Sequence, residues 1–259
     1  KSFNKKIIHK SNFLELYKEI NPNIIINCIA YTNVDKAEEN SRENNECYEV
    51  NCNFLNTISK IITDKTLFVH LSTDYVFDGN KTEPYSIDDK VNPINQYGKS
   101  KQMGEFYIQN KFKNYIIIRT SSLFSLYGSN FVKTIFNLFS YKKSIKVVND
   151  QYFSPTPAED LAKIIWEICL NYNTNITYKN IFHFVGSGDY SNWYEFACLI
   201  KSKSGTKTVI LPECTSNLNF LAKRPLYSVL SDTIIREKFN FNSADWREYL
   251  STVISEIKN

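Results

Sequence analysis

Tyr97 and Lys101 are the two residues of this chain whose types and spacing most directly suggest chemistry. If a helix begins here, residues four positions apart lie on one face, so the Lys101 ammonium can sit beside the Tyr97 phenol. A free phenol has a pKa of about 10, and a neighbouring cation favours the phenolate. The pair therefore predicts a general acid that exchanges a proton near neutral pH.

Thr73 is predicted to join this pair from the end of a strand. Residues 68–72 form a short apolar run bounded by turn residues, which is typical of a buried parallel strand. Such a strand carries Thr73 to its carboxyl end, where the ligand sites of open α/β sheets lie. The three side chains could hold a carbonyl oxygen and protonate it while a hydride arrives at its carbon. A solvated helix face is the alternative interpretation of the Tyr–Lys spacing alone, and the strand context favours the chemical one.

Composition excludes several classes of protein. The 259 residues are 42% hydrophobic and 22% charged, which is ordinary for a globular chain and argues against disorder or a fibrous repeat. The net charge of +4 is too slight to indicate a nucleic-acid partner. The six cysteines include no Cys-x-x-Cys pair, so no metal site and a reducing compartment are expected. No apolar run is long enough to span a membrane, and a cytoplasmic protein is predicted.

Alternating strand and helix patterns predict an α/β fold with a mainly parallel sheet covered by helices on both faces. The strand-like runs are residues 24–29, 67–72, 115–120, 145–148, 181–184 and 208–211. His70 and His183 lie inside two of these runs and are interpreted as satisfied core histidines.

A series of motifs follows in order along nearly the whole chain. They include Asn-Cys-Ile-Ala-Tyr-Thr-Asn-Val-Asp-Lys-Ala-Glu at 27–38, Val-Asn at 50–51, Ser-Thr-Asp-Tyr-Val-Phe-Asp-Gly at 72–79, Tyr-Gly-Lys-Ser-Lys at 97–101, Arg-Thr-Ser at 119–121, Asn-Phe-Val at 130–132, Ser-Pro-Thr at 154–156, Trp-Tyr-Glu-Phe-Ala at 193–197 and Arg-Pro at 224–225. On these residues the chain resembles the dTDP-4-dehydrorhamnose reductase family, within the extended short-chain dehydrogenase/reductases.

The resemblance implies a Rossmann-like doubly wound parallel sheet with a smaller, interleaved α/β substrate domain. Residues 1–122, with 155–185 returning to them, would form the cofactor-binding part, and 123–154 with 186–259 the substrate-binding part. The implied activity is NADPH- or NADH-dependent reduction of the C4 ketone of a nucleotide-linked 4-keto-6-deoxy sugar, most simply dTDP-4-dehydrorhamnose. A homodimer is possible.

The resemblance also assigns roles to individual residues. Catalysis falls to Thr73, Tyr97 and Lys101, and cofactor contacts fall on Ala30, Tyr31, Thr32, Asn51, Tyr97 and Lys101. Substrate contacts fall on Thr73, Asp74, Ser122, Asn130, Phe131 and Arg224. Two alternatives stay open, since Asn51 could be an ordinary helix-interior or cap residue and Arg224 a structural ion pair. Ser122 departs from the family, many members of which have Trp there, so the exact sugar stays open.

The start of the chain departs from the expected fold as well. Its first glycine is Gly79, so the Gly-rich turn that lets a backbone approach a pyrophosphate is missing from this chain. The run at 24–29 would then have an open edge, which natural proteins cover, so we expect an upstream strand–helix–strand segment. The choice between NADH and NADPH depends on that segment. The alternatives are a cofactor-less remnant or a non-catalytic regulatory subunit like the one that accompanies methionine adenosyltransferase.

Overall fold

The computed structural model describes residues 10–39 and 46–258. Its regular elements are, in chain order, α1 (Lys10–Ile20), β1 (Ile24–Asn27), α2 (Phe54–Ile58), β2 (Leu67–Thr73), α3 (Gln96–Lys111), β3 (Tyr115–Thr120), β4 (Leu123–Phe124), α4 (Phe131–Phe139), β5 (Ser144–Val148), β6 (Tyr152–Phe153), β7 (Thr156–Pro157), α5 (Ala158–Leu170), β8 (Lys179–His183), β9 (Ser191–Asn192), α6 (Trp193–Ser204), β10 (Val209–Glu213), α7 (Thr233–Phe239) and α8 (Trp246–Lys258). A π-helical turn, Glu49–Asn53, leads directly into α2.

The main sheet is parallel throughout and has the strand order β1-β2-β3-β8. Every residue of β3 is buried, as are all but one of β2, because helices cover both faces. Burial on both faces explains why these strands are continuous apolar runs rather than alternating ones. The predicted α/β fold with a parallel sheet is confirmed.

Two of the predicted strands do not join this sheet. β5 and β10 pair with each other in a separate two-stranded parallel sheet. The helices α4, α6 and α8 contribute to its separate core, whose buried members include Phe124, Ile145, Phe196, Ile210, Trp246 and Leu250. The periodicity of a short apolar run identifies a strand, but it does not specify the strand's neighbour.

Helix α3 is held tightly against the carboxyl end of β2. Asn95 caps its first turn, where Asn95 Oδ1 accepts a hydrogen bond from the Gly98 amide at 2.7 Å. A Cβ on Gly98 would lie 2.2 Å from the Tyr75 carbonyl oxygen, and one on Gly104 would lie 2.3 Å from that of Asn51. Gly98 therefore permits the close approach of α3 to the residues after β2, and Gly104 permits its close approach to the π-helical turn.

The edge of the main sheet that β1 forms is exposed. Within residues 10–39 and 46–258, β1 pairs with β2 alone, and the side chain of Ile26 is 41% exposed. An apolar groove of about 570 Å³ runs along this edge, lined by residues of α1, β1 and α2 such as Phe13, Ile24 and Phe54. None of the described helices is long and apolar enough to cross a membrane.

Candidate active site

Thr73 is the last residue of β2 and lies at the centre of the candidate site. Its hydroxyl donates to Asp74 Oδ1 at 3.0 Å and accepts from the Tyr75 amide at 3.2 Å. The Tyr97 phenol lies beside the Thr73 side chain. A threonine hydroxyl carries one proton, which Thr73 here donates to Asp74.

Asp74 ties three parts of the chain together around Thr73. Its side chain is buried and accepts hydrogen bonds from the hydroxyls of Thr73, Ser121 at 2.8 Å and Ser228 at 2.5 Å. Burial raises the pKa of Asp74, while these hydroxyls favour its charged form. The carboxylate that was predicted to contact the sugar is therefore also a link between β2, the residue after β3 and the C-terminal segment.

The Tyr97 phenol is held in its protonated form. Burial raises the pKa of Tyr97 above its ordinary value, the Thr73 hydrogen bond lowers it, and the nearby Asp74 charge raises it. A protonated phenol can give its proton to an oxygen placed beside it. The geometry therefore suits an acid more than a base.

Lys101 is directed at β2 rather than at the phenol, which differs from the expectation. Its Nζ donates to the Leu71 carbonyl oxygen at 2.7 Å and lies 3.2 Å from His70 Nε2. The side chain is 1% exposed, and burial lowers the pKa of Lys101 to about 8. Both of these partners lie on β2, and the predicted tuning of the phenol by Lys101 stays a prediction.

The predicted cofactor residues Ala30, Tyr31 and Thr32 follow the end of β1. Asn51 fixes the middle of this segment, since its Oδ1 accepts from the Tyr31 amide at 2.8 Å and its Nδ2 donates to the Tyr31 carbonyl at 3.1 Å. The same Nδ2 lies 3.0 Å from Ser100 Oγ on α3. Asn51, although it lies in the π-helical turn, thus links the β1 loop to the helix that carries Tyr97 and Lys101.

Arg224 pairs with a carboxylate of the chain itself. Its Nη2 lies 2.5 Å from Asp35 Oδ2, and its guanidinium stacks over the Phe220 ring at 4.3 Å from the centroid. Burial raises the pKa of the Tyr75 phenol, and the nearby Arg224 guanidinium lowers it. Arg224 thus forms the structural ion pair that was its alternative interpretation, and its binding of a phosphate stays a prediction.

Asn130 and Phe131 are engaged locally. Asn130 caps α4 by accepting from the Lys133 amide, and its Nδ2 donates to the Ser125 carbonyl oxygen at 2.7 Å. The ring of Phe131 lies 4.5 Å from that of Trp193, centroid to centroid. The structure shows packing and capping roles for these two residues, and their predicted contact with the nucleotide stays a prediction.

Ser122 borders a small cleft beside Asp74. Its backbone adopts φ +44°, and its neighbours across the cleft include Trp193, whose ring stacks on Phe153 at 3.9 Å. The cleft is lined by Asp74, Tyr75, Ser122, Gln151, Tyr152, Phe153, Trp193, Pro225 and Ser228. Aromatic side chains thus border Ser122 from elsewhere in the chain.

Sequence reasoning missed three contributors to the site, namely His70, Trp193 and Ser228. His70 lies three residues before Thr73 in a strand, which is a usable signal, and Trp193 opens one of the quoted motifs. Ser228 carries no local signal, because its partner Asp74 is 154 residues away in the chain.

Comparison with known proteins identifies relatives over nearly the whole chain. Residues 4–259 match the family described as RmlD substrate binding domain. The chain is 38% identical to the spore coat polysaccharide biosynthesis protein SpsK of Bacillus subtilis, over 91% of this chain and 80% of that protein. It is 35% identical to a dTDP-4-dehydrorhamnose reductase of Aggregatibacter actinomycetemcomitans, over 95% and 85% respectively.

A solved structure shows the same likeness. The crystal structure of a dTDP-4-dehydrorhamnose reductase from Bacillus anthracis in complex with NADP superposes with a TM-score of 0.88 at 34% identity, covering 98% of this chain and 89% of that one.

Proposed function

Because the chain belongs to the RmlD substrate-binding-domain family and is homologous to dTDP-4-dehydrorhamnose reductases, we propose that it reduces the C4 ketone of a nucleotide-linked 4-keto-6-deoxy sugar with NADPH or NADH. The preferred substrate is dTDP-4-dehydrorhamnose and the product dTDP-L-rhamnose. The observation that carries the proposal is the placement of the Tyr97 phenol beside Thr73, whose hydroxyl is hydrogen-bonded to Asp74, at the carboxyl end of β2.

This row provides the proton side of a ketone reduction. Tyr97 holds a proton, because burial raises the pKa of its phenol. Thr73 lies beside that phenol, and Asp74 fixes the rotamer of Thr73 by accepting a hydrogen bond from its hydroxyl. A carbonyl oxygen beside Tyr97 would receive the phenol proton as its carbon is reduced.

The residues present fit the nicotinamide half of a dinucleotide. A phenol, a lysine amine and the backbone of residues 30–32 converge at the ends of β1 and β2, which is the donor set that ribose hydroxyls need. The buried Thr120 hydroxyl at the end of β3 has no hydrogen-bond partner among the described residues and can serve a ligand. When bound, a reduced nicotinamide supplies the hydride.

The pyrophosphate half of the dinucleotide needs a phosphate-binding turn that these residues do not provide. Residues 1–78 contain no glycine, so they supply no Gly-rich phosphate turn. The open edge of β1 and its apolar groove are where a further strand and helix would pack, and we propose that such a unit completes the cofactor site. We propose that residues 1–122 and 155–185 form the cofactor-binding part, and that residues 123–154 and 186–259 form the substrate-binding part.

The sugar itself is the least constrained part of the proposal. The likeness to SpsK is as strong as that to the reductases, and Ser122 stands where many family members have Trp. Trp193, Tyr152 and Phe153 supply aromatic surface to the same cleft. We propose that this cleft receives the 6-deoxy end of the sugar, because a methyl group gains from apolar contact.

The test is a direct assay with purified protein that includes the further strand–helix unit proposed to complete the cofactor site. The protein is incubated with dTDP-4-dehydrorhamnose and either NADPH or NADH, the loss of reduced nicotinamide is followed by absorbance, and the product is identified by NMR. Stoichiometric formation of dTDP-L-rhamnose is expected. Cofactor binding without turnover would redirect the search to other 4-keto sugars. The absence of both would favour a cofactor-less or regulatory role.

A further inference from the structure

The first turn of α3, which carries Tyr97, is held by side chains on both sides of that residue. Glu38 Oε1 accepts a hydrogen bond from the Gln96 amide at 2.6 Å. Asn95 Oδ1 accepts one from the Gly98 amide at 2.7 Å. The first amides of a helix have no partner inside the helix, so each needs an acceptor from elsewhere. Tyr97 therefore stands between two amides that side chains fix in place.

Glu38 reaches α3 from the cofactor side of the proposed site. It ends a short 3-10 helix, Lys36–Glu38, which follows the segment predicted to contact the cofactor. Ala37 in the middle of this helix is fully buried, and its amide donates to the Asn33 carbonyl oxygen at 3.1 Å. A carboxylate at a helix N-terminus also meets the positive end of the helix dipole. Glu38 thus ties the turn of Tyr97 to a well-fixed part of the chain.

Asn95 ties the same turn of α3 to the C-terminal part of the chain. Asn95 is 1% exposed, and its Nδ2 donates to the Lys223 carbonyl oxygen at 2.8 Å. Asp35, the residue before the 3-10 helix, accepts from the Ala222 amide at 3.1 Å and pairs with Arg224. These three consecutive residues of the C-terminal part are thus held by the helix of Tyr97 and by the cofactor-side turn at once.

The segment 222–224 leads directly into the wall of the candidate site. Pro225 lines the cleft beside Asp74, and Ser228 donates a hydrogen bond to the Asp74 carboxylate at 2.5 Å. A shift of this segment would therefore move the surface that faces the sugar in the proposed reaction. The hydrogen bonds of Glu38 and Asn95 connect that surface to the turn that carries the proton donor.

We propose that Glu38 and Asn95 are positioning residues for Tyr97, Glu38 from the cofactor side and Asn95 from the substrate side. Each holds a backbone amide next to Tyr97 and so sets where the phenol stands. Reaction rates depend steeply on such placement, since a misplacement of about 1 Å can cost on the order of 10²-fold. The catalytic effect rests on the proposed reductase function, whereas the fixing of the turn is a property of the chain itself.

Amide hydrogen exchange without cofactor or substrate tests the fixing of the turn. Glu38→Ala should speed exchange of the Gln96 amide by about tenfold or more, because the acceptor is lost. Glu38→Gln should restore the protection, because it keeps an acceptor oxygen at the same reach. Glu39→Ala is the matched control, since it removes an exposed carboxylate at the next position and should change nothing. An unchanged Gln96 exchange in Glu38→Ala would overturn the proposal.

Steady-state kinetics separate positioning from general stability. Glu38→Ala should lower kcat by about tenfold while KM for the 4-keto sugar stays within about twofold, and Glu38→Gln should recover most of the loss. A loss of stability alone would lower the urea midpoint and leave the kcat of the folded enzyme unchanged. A wild-type kcat in Glu38→Ala would remove its positioning role, whatever happens to KM.

Asn95→Asp separates the cap of α3 from the tie to the C-terminal part. Aspartate is as good an N-cap as asparagine and keeps the acceptor for the Gly98 amide, but as a carboxylate it cannot donate to the Lys223 carbonyl oxygen. We expect kcat to fall by about tenfold while the Gly98 amide stays protected from exchange. A kcat equal to that of the wild type would refute the tie from the substrate side.

The two kinds of measurement distinguish this proposal from the proposed function. If the wild type has no reductase activity, the proposed function falls, and the exchange of the Gln96 amide alone decides whether Glu38 fixes the turn. If the wild type is active and Glu38→Ala changes neither exchange nor kcat, the positioning role falls and the reductase function stands.

Discussion

Two buried cations, Lys101 and Arg119, lie near the same strand ends and have opposite surroundings. Both are almost fully buried, and each lies beside a buried histidine. Arg119 forms a two-point pair with Glu105, with Nε–Oε1 at 3.0 Å and Nη2–Oε2 at 2.7 Å. Lys101 instead contacts a backbone carbonyl oxygen and a neutral ring.

The comparison separates a structural charge from a titratable one. A buried guanidinium with a two-point carboxylate partner stays charged and fixes the packing of α3 on β3. A buried amine whose direct partners are neutral gives up its proton more easily, which is the behaviour expected of groups at functional sites. Lys101, one turn after Tyr97 in α3, is therefore the titratable residue of the two.

The largest effect expected is on stability, from Arg119→Met. This change leaves the Glu105 carboxylate buried without its cation, and breaking a buried pair from one side typically costs about 3–5 kcal/mol. Urea unfolding at neutral pH measures this loss in the free energy of unfolding. Lys101→Met is the matched control and should cost much less, because it removes a buried amine without stranding a carboxylate. Equal losses would erase the distinction between the two cations.

Tyr97→Phe should abolish reduction while leaving the fold intact, because it removes only the hydroxyl that delivers the proton. We expect turnover to fall by on the order of 10²-fold or more. Steady-state kinetics with the 4-keto sugar provide the measurement. Tyr107→Phe removes a hydroxyl from the same helix and should retain activity. A Tyr97 variant with near wild-type turnover would contradict the assignment of the acid.

The pH dependence of stability should carry the signature of Lys101. Its pKa falls from 10.5 to about 8 on folding, so between these values the unfolded chain binds the proton and the folded chain does not. Stability therefore rises with pH through this window. Relative to Lys101→Met, the wild type should gain about 1 kcal/mol between about pH 7 and about pH 9 in urea unfolding. A flat difference would mean that Lys101 stays charged when buried.

Ser122→Trp should produce the smallest change, in substrate preference. A larger apolar wall should favour the 6-deoxy sugar over an analogue that keeps its 6-hydroxyl by about 1 kcal/mol, or roughly fivefold. The ratio of kcat/KM for the two sugars measures it, with Leu123→Trp as a control one position further along. Ser122 already has a Cβ at φ +44°, so the substitution should add little backbone strain. An unchanged ratio in an active variant would mean that Ser122 does not face the sugar.

The strand pattern could be predicted from sequence because burial on both faces imposes a local signature. Each of the six predicted runs is a strand, with ends that differ by at most two residues. The separate pairing of β5 with β10 could not be predicted in this way, since a strand's periodicity records which faces are buried and not which strand lies beside it. The helix that carries Tyr97 and Lys101 was assumed from the spacing of these two residues, because its sequence has no clear apolar stripe.

Contacts between distant segments could not be predicted from the hydrophobic pattern of the sequence. Arg224 could bind a phosphate or a carboxylate on sequence grounds, and the fold supplies Asp35, which lies 189 positions earlier. His70 was interpreted as an ordinary core histidine because a strand pattern shows burial and not hydrogen-bond partners.

The sequence by itself determined the parallel α/β sheet, through local periodicity, and the family, through the order of its motifs. Only the tertiary structure decided that Lys101 turns toward His70 and Leu71, that Asp74 collects three hydroxyls, and that Arg224 meets Asp35. A buried polar group must find its partner within about 3 Å. Which atom stands there depends on how distant segments pack, and that information is spread over the whole chain.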